Sequence, residues 1–188
     1  MGPKFISFKV MNYDALSIYE YNDELKKLIF IFKGKYDYEL RKVFLSRFVP
    51  YLRFKYKGFE IVPISSSKKD DEKRGFNHVM EIAKSLDIPI QDVLVKTNNI
   101  KQSSLSYKDR LKNKNNLAIT STKSLYGKKV LLIDDVYTSG ATIRKAVSLV
   151  EKASPKTIKI LVVSKTTDPN KDKNKKNIKQ IVLANTNT

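Results

Sequence analysis

Short apolar runs alternate along the chain with stretches in which apolar residues recur at helical spacing. The runs predict β-strands, and the stretches predict amphipathic helices. Predicted strands cover residues 5–10, 15–19, 59–63, 92–95, 117–119, 130–133, 157–163 and 178–183. Predicted helices cover residues 23–33, 36–48, 78–86 and 143–150. Asn22 is suited to cap the first helix and Gly34 to end it. Pro50 either stops the second helix or starts a short third segment.

One strand, turn and helix carry the most chemical information in the chain. The unbroken apolar run at 130–133 suits a central parallel strand that is covered on both faces. Asp134 and Asp135 follow this run, a polar turn comes next, and a helix then begins. Ligands of open α/β sheets bind beyond the carboxyl ends of the strands. Residues 134–142 are therefore the first candidate for a binding site.

The turn and the acidic pair favour different parts of one ligand. Hydroxyls and backbone N–H groups at a helix N-terminus favour an anion such as phosphate. The acidic pair would repel phosphate, and it is better suited to sugar hydroxyls or a hydrated divalent cation. A sugar phosphate combines both kinds of group. The alternative is a buried strand that is followed by an ordinary polar turn.

Residues 130–142 closely resemble the ribose-5-phosphate-binding signature of the type I phosphoribosyltransferases. The resemblance implies an α/β fold with a central, mostly parallel sheet flanked by helices, and with a flexible hood loop. It also implies binding of 5-phosphoribosyl-1-pyrophosphate with Mg²⁺, which Asp134 and Asp135 would hold through water. Both carboxylates would orient the ribose hydroxyls and stabilise the positive charge that develops as pyrophosphate leaves. The implied substrate-binding residues are Tyr137, Thr138, Ser139, Gly140, Ala141 and Thr142.

A serine-rich loop follows the strand predicted at 59–63. In the fold that the chain resembles, this loop would face pyrophosphate. Hydroxyls, backbone N–H groups and a lysine are suitable partners for such an anion. The residues concerned are Ser65, Ser66, Ser67 and Lys68. A solvated loop is the alternative for this stretch taken alone.

Residues 74–78 narrow the resemblance to the ComF branch of the family, whose members are linked to natural competence for DNA uptake. The pattern is Arg-Gly-Phe-Asn after a Val-Pro strand, and the next residue in that branch is typically Gln. Here it is His78, which is the only histidine. Without a cysteine or a second histidine, a first-turn helix residue is a better interpretation than a metal ligand. Arg74 would either reach the site or pair with the acidic residues at 70–72.

Residues 97–116 show no sustained apolar period, and a loop of this length is usually functional or disordered. The resemblance places here a hood that closes over the active site, excludes water and neutralises departing pyrophosphate. The implied hood residues are Lys101, Gln102 and Arg110, and Arg110 joins the two aspartates as a catalytic candidate. The alternative is a solvated, charged loop.

Composition limits the remaining interpretations. The length of 188 residues indicates one compact unit, with a hairpin and helices at 1–58 packed on a core at 59–188. The absence of cysteine excludes disulfides and cysteine zinc sites. ComF proteins usually carry an N-terminal zinc ribbon with four cysteines, so we expect that module to be lost or supplied by another subunit. No apolar run is long enough for membrane insertion, and we expect a cytoplasmic protein.

Two functions stay open at this stage. A net charge of +18 favours an anionic partner, although a Lys- and Asn-rich composition set by genome bias explains it equally well. One function is a phosphoribosyltransferase, whose acceptor and oligomeric state the sequence does not indicate. The other is a non-enzymatic competence factor that binds single-stranded DNA or a helicase-like protein of the competence machinery. A receiver domain is disfavoured because too few residues follow Val130, and a P-loop ATPase because its Gly-x-x-x-x-Gly-Lys-Ser/Thr element is absent.

Overall fold

Strands and helices alternate through most of the protein. The computed structural model describes residues 4–34, 45–64, 76–96 and 117–166. The strands in these ranges are β1 (Ile6–Val10), β2 (Tyr13–Glu20), β3 (Phe59–Pro63), β4 (Leu94–Lys96), β5 (Leu117–Ile119), β6 (Lys129–Tyr137) and β7 (Thr157–Lys165). The helices are α1 (Asp23–Gly34), α2 (Val49–Lys55), α3 (His78–Lys84) and α4 (Ala141–Glu151). Short 3₁₀ helices occupy Ser46–Phe48 and Lys123–Leu125.

Five strands form the main sheet, in the order β1-β2-β7-β6-β3. The β2–β7, β7–β6 and β6–β3 pairs are parallel, and only β1 pairs antiparallel, with β2. The α/β architecture with a mostly parallel sheet is thereby confirmed. Because β2 pairs with β7, the N-terminal hairpin extends the main sheet itself.

Two of the predicted strands form a separate, two-stranded sheet. β4 starts at Leu94, two residues later than predicted, and pairs antiparallel with β5. The residues just before β4 make one bridge to β3, in which Ile61 donates to Pro89 O at 2.7 Å and its carbonyl accepts from Gln91 N at 2.8 Å. The chain touches the edge of the main sheet at this bridge and then leaves it to join β5.

The sheet has a hydrophobic core on each face. On one face, which we call the α3 face, α1, α2 and α3 pack against Leu131 and Ile133 of β6. On the other, the α4 face, α4 packs against Val130 and Leu132 of the same strand. All four residues are at most 1% exposed. This two-sided burial explains why the run at 130–133 is apolar without interruption.

Local capping explains where the helices begin. Asn22 Oδ1 accepts a hydrogen bond from Leu25 N at 2.8 Å at the start of α1, as predicted. Asn77 Oδ1 accepts from Met80 N at 3.0 Å at the start of α3. Pro50 lies in the first turn of α2, so it starts a helix and does not merely end one.

Some predicted elements fall outside the described residues. These are the strand at 178–183 and most of the helix at 36–48, of which the described end includes a 3₁₀ turn. Of the helices in the described ranges, none combines the length and the apolar character that crossing a bilayer requires.

Leu131→Ala should lower the free energy of unfolding by about 2–5 kcal/mol, because Leu131 is fully buried in the central strand and truncation leaves a cavity. Tyr126→Ala is the matched control. Its side chain is 74% exposed, so the change should stay within about 0.5 kcal/mol. Urea unfolding monitored by circular dichroism measures both values. Equal effects of the two substitutions would contradict the central position of β6.

Candidate functional site

The candidate site lies where β6 ends and α4 begins, at the carboxyl edge of the parallel strands. The sequence predicted a strand at 130–133 with the acidic pair beyond its end. In the structure, β6 continues through the pair to Tyr137, because β7 goes on pairing with it as far as Tyr137 and Lys165. The acidic residues are therefore held in extended backbone and have defined directions.

The two carboxylates lie on opposite faces of the sheet. Successive side chains of a strand alternate between its faces. Asp134 continues the row of β6 that faces α4 and is partly exposed. Asp135 continues the row that faces α3 and is only 8% exposed. The carboxylates were predicted as one pair that acts on one ligand, and the structure gives them different surroundings.

Asp135 is held by a residue from another element. His78 Nε2 lies 2.8 Å from Asp135 Oδ2, and both side chains are buried. A carboxylate only accepts hydrogen bonds, so an ionised Asp135 requires the proton on His78 Nε2. His78 occupies the first turn of α3, as predicted, but its contact with Asp135 was not predicted. The only available signal was that α3 and Asp135 would both lie near the carboxyl edge of the sheet.

One oxygen of each carboxylate accepts a hydrogen bond from the backbone N–H of the next residue in β6. Asp134 Oδ1 accepts from Asp135 N at 2.9 Å, and Asp135 Oδ1 accepts from Val136 N at 2.6 Å. Backbone donors of this kind favour the ionised form of a carboxylate. They also limit the rotation of each side chain, so the negative charges are fixed in position.

The turn before α4 has the backbone of an anion-binding turn. Gly140 caps the helix in the left-handed conformation, with φ of 73°. Ser139 Oγ accepts from Ala141 N at a long 3.4 Å, so this first-turn amide is only weakly occupied. α4 has 11 residues, enough for a helix dipole that favours negative charge at this end. The predicted phosphate subsite at 138–142 is therefore compatible with the observed backbone.

Tyr137 covers this turn. A Cβ atom on Gly140 would lie 2.6 Å from Tyr137 Cζ, well inside normal contact. The ring of Tyr137 also packs edge-on against Phe8, with ring centroids 4.8 Å apart. Lys165 Nζ lies 5.6 Å from the centroid of the Phe8 ring. The end of β7 thus flanks the site, and it brings a cation that was not among the predicted site residues.

The structure brings together Asp134, Asp135, Tyr137 and the turn at 138–142. The remaining predicted site residues lie outside the described ranges. They are Ser65, Ser66, Ser67, Lys68, Arg74, Lys101, Gln102 and Arg110. Their roles in pyrophosphate binding and in the hood stay predictions.

The carboxylates of the site are compatible with a hydrated divalent cation. Within the described ranges, no cluster of three or more His, Cys, Asp or Glu side chains could enclose a metal. Mg²⁺ usually keeps several waters and binds to one or two carboxylates together with phosphate oxygens. The partly exposed carboxylate of Asp134 suits that mode of binding.

Comparison with known proteins identifies the family. The model of the phosphoribosyl transferase domain matches residues 72–187, which include α3, β6, α4 and β7. The chain belongs to this family. Its match spans both His78 and the whole stretch 130–142, so the phosphoribosyltransferase signature predicted from the sequence lies inside it.

Two curated relatives place the chain in the ComFC branch of the phosphoribosyltransferase family. Competence protein ComFC of Bacillus subtilis (strain 168) is 39% identical over 132 residues, which are 69% of this chain and 55% of the relative. Competence protein ComFC of Streptococcus pneumoniae (strain ATCC BAA-255 / R6) is 36% identical over 143 residues, which are 76% of this chain and 64% of the relative. The chain therefore spans somewhat more than half the length of these relatives.

Solved phosphoribosyltransferases show only a distant likeness. A hypoxanthine phosphoribosyltransferase of Trypanosoma cruzi is 10% identical, with a TM-score of 0.43 and 70% of each chain covered. A hypoxanthine phosphoribosyltransferase of Staphylococcus aureus is 15% identical, with a TM-score of 0.43. The fold assignment therefore rests on the family match and on the observed sheet.

Gly140→Ala should lower the free energy of unfolding by about 1 kcal/mol more than Gly127→Ala does. Both glycines have positive φ, 73° and 67°, so both substitutions introduce left-handed strain of roughly 1–2 kcal/mol. Only at Gly140 would the new Cβ also overlap the Tyr137 ring and force it from its contact with Phe8, which is worth about 0.5–1.5 kcal/mol. Chemical denaturation of both variants gives the difference. In a Tyr137→Ala background the difference should vanish, and its persistence would contradict the steric explanation.

Proposed function

We propose that the site binds the ribose-5-phosphate part of 5-phosphoribosyl-1-pyrophosphate. The observation that carries this proposal is the Gly140 turn at the N-terminus of α4, with Asp134 at the same edge of the sheet, in the row of β6 that begins with Val130 and Leu132. A phosphate group suits the turn, and the sugar next to it suits the carboxylate. Membership of the phosphoribosyltransferase family supports the same ligand.

In this proposal the two halves of the site have separate tasks. The backbone and hydroxyls of residues 138–142 bind the 5-phosphate. Asp134 and Asp135 accept hydrogen bonds from the ribose hydroxyls, and they would hold Mg²⁺ through water. The ion would neutralise phosphate charge when it is bound. Pyrophosphate itself would meet the predicted groups outside the described residues.

Transfer of the phosphoribosyl group would use the same residues. An acceptor would attack the anomeric carbon while the bond to pyrophosphate breaks, and positive charge would develop on the sugar ring. The fixed negative charges of Asp134 and Asp135 are suited to stabilise that charge. The acceptor is not indicated, so a screen of nucleobases and amines for pyrophosphate release is the assay for this step.

Isothermal calorimetry of the purified chain with 5-phosphoribosyl-1-pyrophosphate and MgCl₂ tests the proposed binding. The wild type should bind, and Asp134→Asn should weaken binding roughly tenfold or more, because a charge-assisted hydrogen bond is worth about 1.5–3 kcal/mol. Gly140→Val should abolish binding, since its side chain would occupy the turn. Removal of Mg²⁺ with EDTA should also weaken binding.

Gly127→Val is the matched control for the calorimetry. Gly127 has a similar positive φ, but it lies before the opposite end of β6 and has nothing within 4 Å of a built Cβ. This variant should bind like the wild type. The absence of heat with the wild type, or equal binding by Gly140→Val, would rule out the proposed site.

A second candidate function rests on a different surface. Phe5, Tyr51 and Phe54 are 43%, 48% and 83% exposed, and Lys55 Nζ lies 5.7 Å from the Tyr51 ring centroid. We call these four residues the aromatic–basic surface. Exposed rings beside cations can stack on bases and contact phosphates, which is how single-stranded nucleic acid is bound without sequence preference. The net charge of +18 and the competence names of the relatives support this candidate.

Fluorescence anisotropy with a labelled oligo-dT tests the second candidate. Phe54→Ala should weaken binding by about 1–3 kcal/mol, the usual contribution of one stacked base. Affinity should also fall steeply between 50 and 200 mM salt, because binding releases counterions. Tyr126→Ala, which removes a 74% exposed ring elsewhere, is the control and should have no effect. Equal affinities of the two variants would exclude this surface as the binding site, and a helicase-like protein would then be the partner to test.

A further inference from the structure

His78 is a buried polar residue to which the proposed function gives no task. The whole residue is 4% exposed, and its side chain is 5% exposed. Its Nε2 atom lies 2.8 Å from Asp135 Oδ2, across 57 residues of sequence. Buried polar groups are costly unless they are paired, so this contact is a strong restraint on both side chains. The restraint acts on the orientation of the Asp135 carboxylate.

The contact fixes the direction of the Asp135 carboxylate. One oxygen, Oδ1, accepts from Val136 N at 2.6 Å, and the other, Oδ2, accepts from His78. A carboxylate with a donor on each oxygen cannot rotate freely. Its negative charge therefore lies at the carboxyl edge of the sheet in one orientation.

His78 is itself held firmly in place. It is the first residue of α3, and the cap formed by Asn77 Oδ1 and Met80 N fixes the first turn of that helix. Val79 and Ile82 of the same helix are buried in the core of the α3 face. The imidazole is therefore held by a well-packed helix, and its contact with Asp135 restrains the orientation of that carboxylate.

We propose that His78 is a positioning residue for ligand binding, which holds Asp135 in the orientation that the ribose hydroxyls or a hydrated cation require. This inference rests on the proposed binding of 5-phosphoribosyl-1-pyrophosphate. The competing explanation is a structural one, in which the His78–Asp135 contact only fastens α3 to β6. The two explanations differ in what happens to a ligand when the donor is removed and the protein still folds.

Calorimetry with 5-phosphoribosyl-1-pyrophosphate and MgCl₂ separates the two explanations. His78→Leu should weaken binding about 10- to 100-fold, the usual effect of removing a group that orients a ligating side chain. His78→Gln keeps an N–H donor and should stay within about threefold of the wild type. In an Asp135→Asn background, His78→Leu should cause little further loss, because the residue that it positions has already changed. Equal binding by folded His78→Leu and wild type would overturn the inference.

The single histidine gives a readout that does not depend on any variant folding. A ¹⁵N-labelled imidazole in this chain produces signals from His78 alone, since the sequence contains one histidine. The spectrum should show the Nε2-protonated tautomer, and the signal should shift when 5-phosphoribosyl-1-pyrophosphate and MgCl₂ are added. Inorganic phosphate alone, which would occupy only the turn before α4, should leave it nearly unchanged.

The outcomes distinguish failure of the inference from failure of the proposed function. If the wild type binds the ligand by calorimetry while the His78 signal does not respond, the positioning role is wrong and the proposed function stands. If the wild type does not bind the ligand, both are overturned. Loss of binding in His78→Leu together with retention in His78→Gln supports the positioning role.

Discussion

The alternation of side chains along β6 is the constraint on which the site depends. The strand is buried on both faces, so its register is fixed by two hydrophobic cores at once. β7 pairs with β6 as far as Tyr137, and the alternation holds as far as Asp135, because Val136 packs on the core of the α3 face and Tyr137 on that of the α4 face. Asp134 continues the row of Val130 and Leu132, and Asp135 continues the row of Leu131 and Ile133 and contacts His78. A shift of the β6 register by one residue would exchange the surroundings of Asp134 and Asp135. It would also exchange the β6 side chains that fill the two hydrophobic cores.

Local features of the site could be predicted from the sequence because short-range chemistry determines them. The polar turn at 138–142 was predicted to lead into a helix, and Gly140 caps α4 at that point. The apolar run at 130–133 indicated a buried parallel strand, and both of its faces are covered. Asn22 as a cap and His78 as a first-turn residue also depend only on their immediate neighbours. The ComFC branch was likewise read from short motifs, and the curated relatives confirm it.

Features that depend on distant pairing could not be predicted. Nothing in the sequence of β2 indicates that it joins β7 in parallel, or that β4 and β5 leave the main sheet for one of their own. A short apolar strand is compatible with many partners, and tertiary packing selects one. The contact between His78 and Asp135 belongs to the same class, because it exists only after α3 has packed on β6. Local sequence patterns identify both residues, but they do not indicate that the two are paired.

The different burial of the two aspartates argues for an unequal division of work between them. Asp135 is only 8% exposed and has a donor on each of its oxygens, so it can meet a ligand from one fixed direction only. Asp134 is partly exposed and lies on the face of the sheet from which α4 and its N-terminal turn approach. A ligand that places phosphate on that turn would therefore meet Asp134 from the open side. Asp135 would meet the same ligand from the α3 face, in the single orientation that His78 and Val136 N impose, so the adjacent carboxylates are best understood as one open contact and one oriented contact.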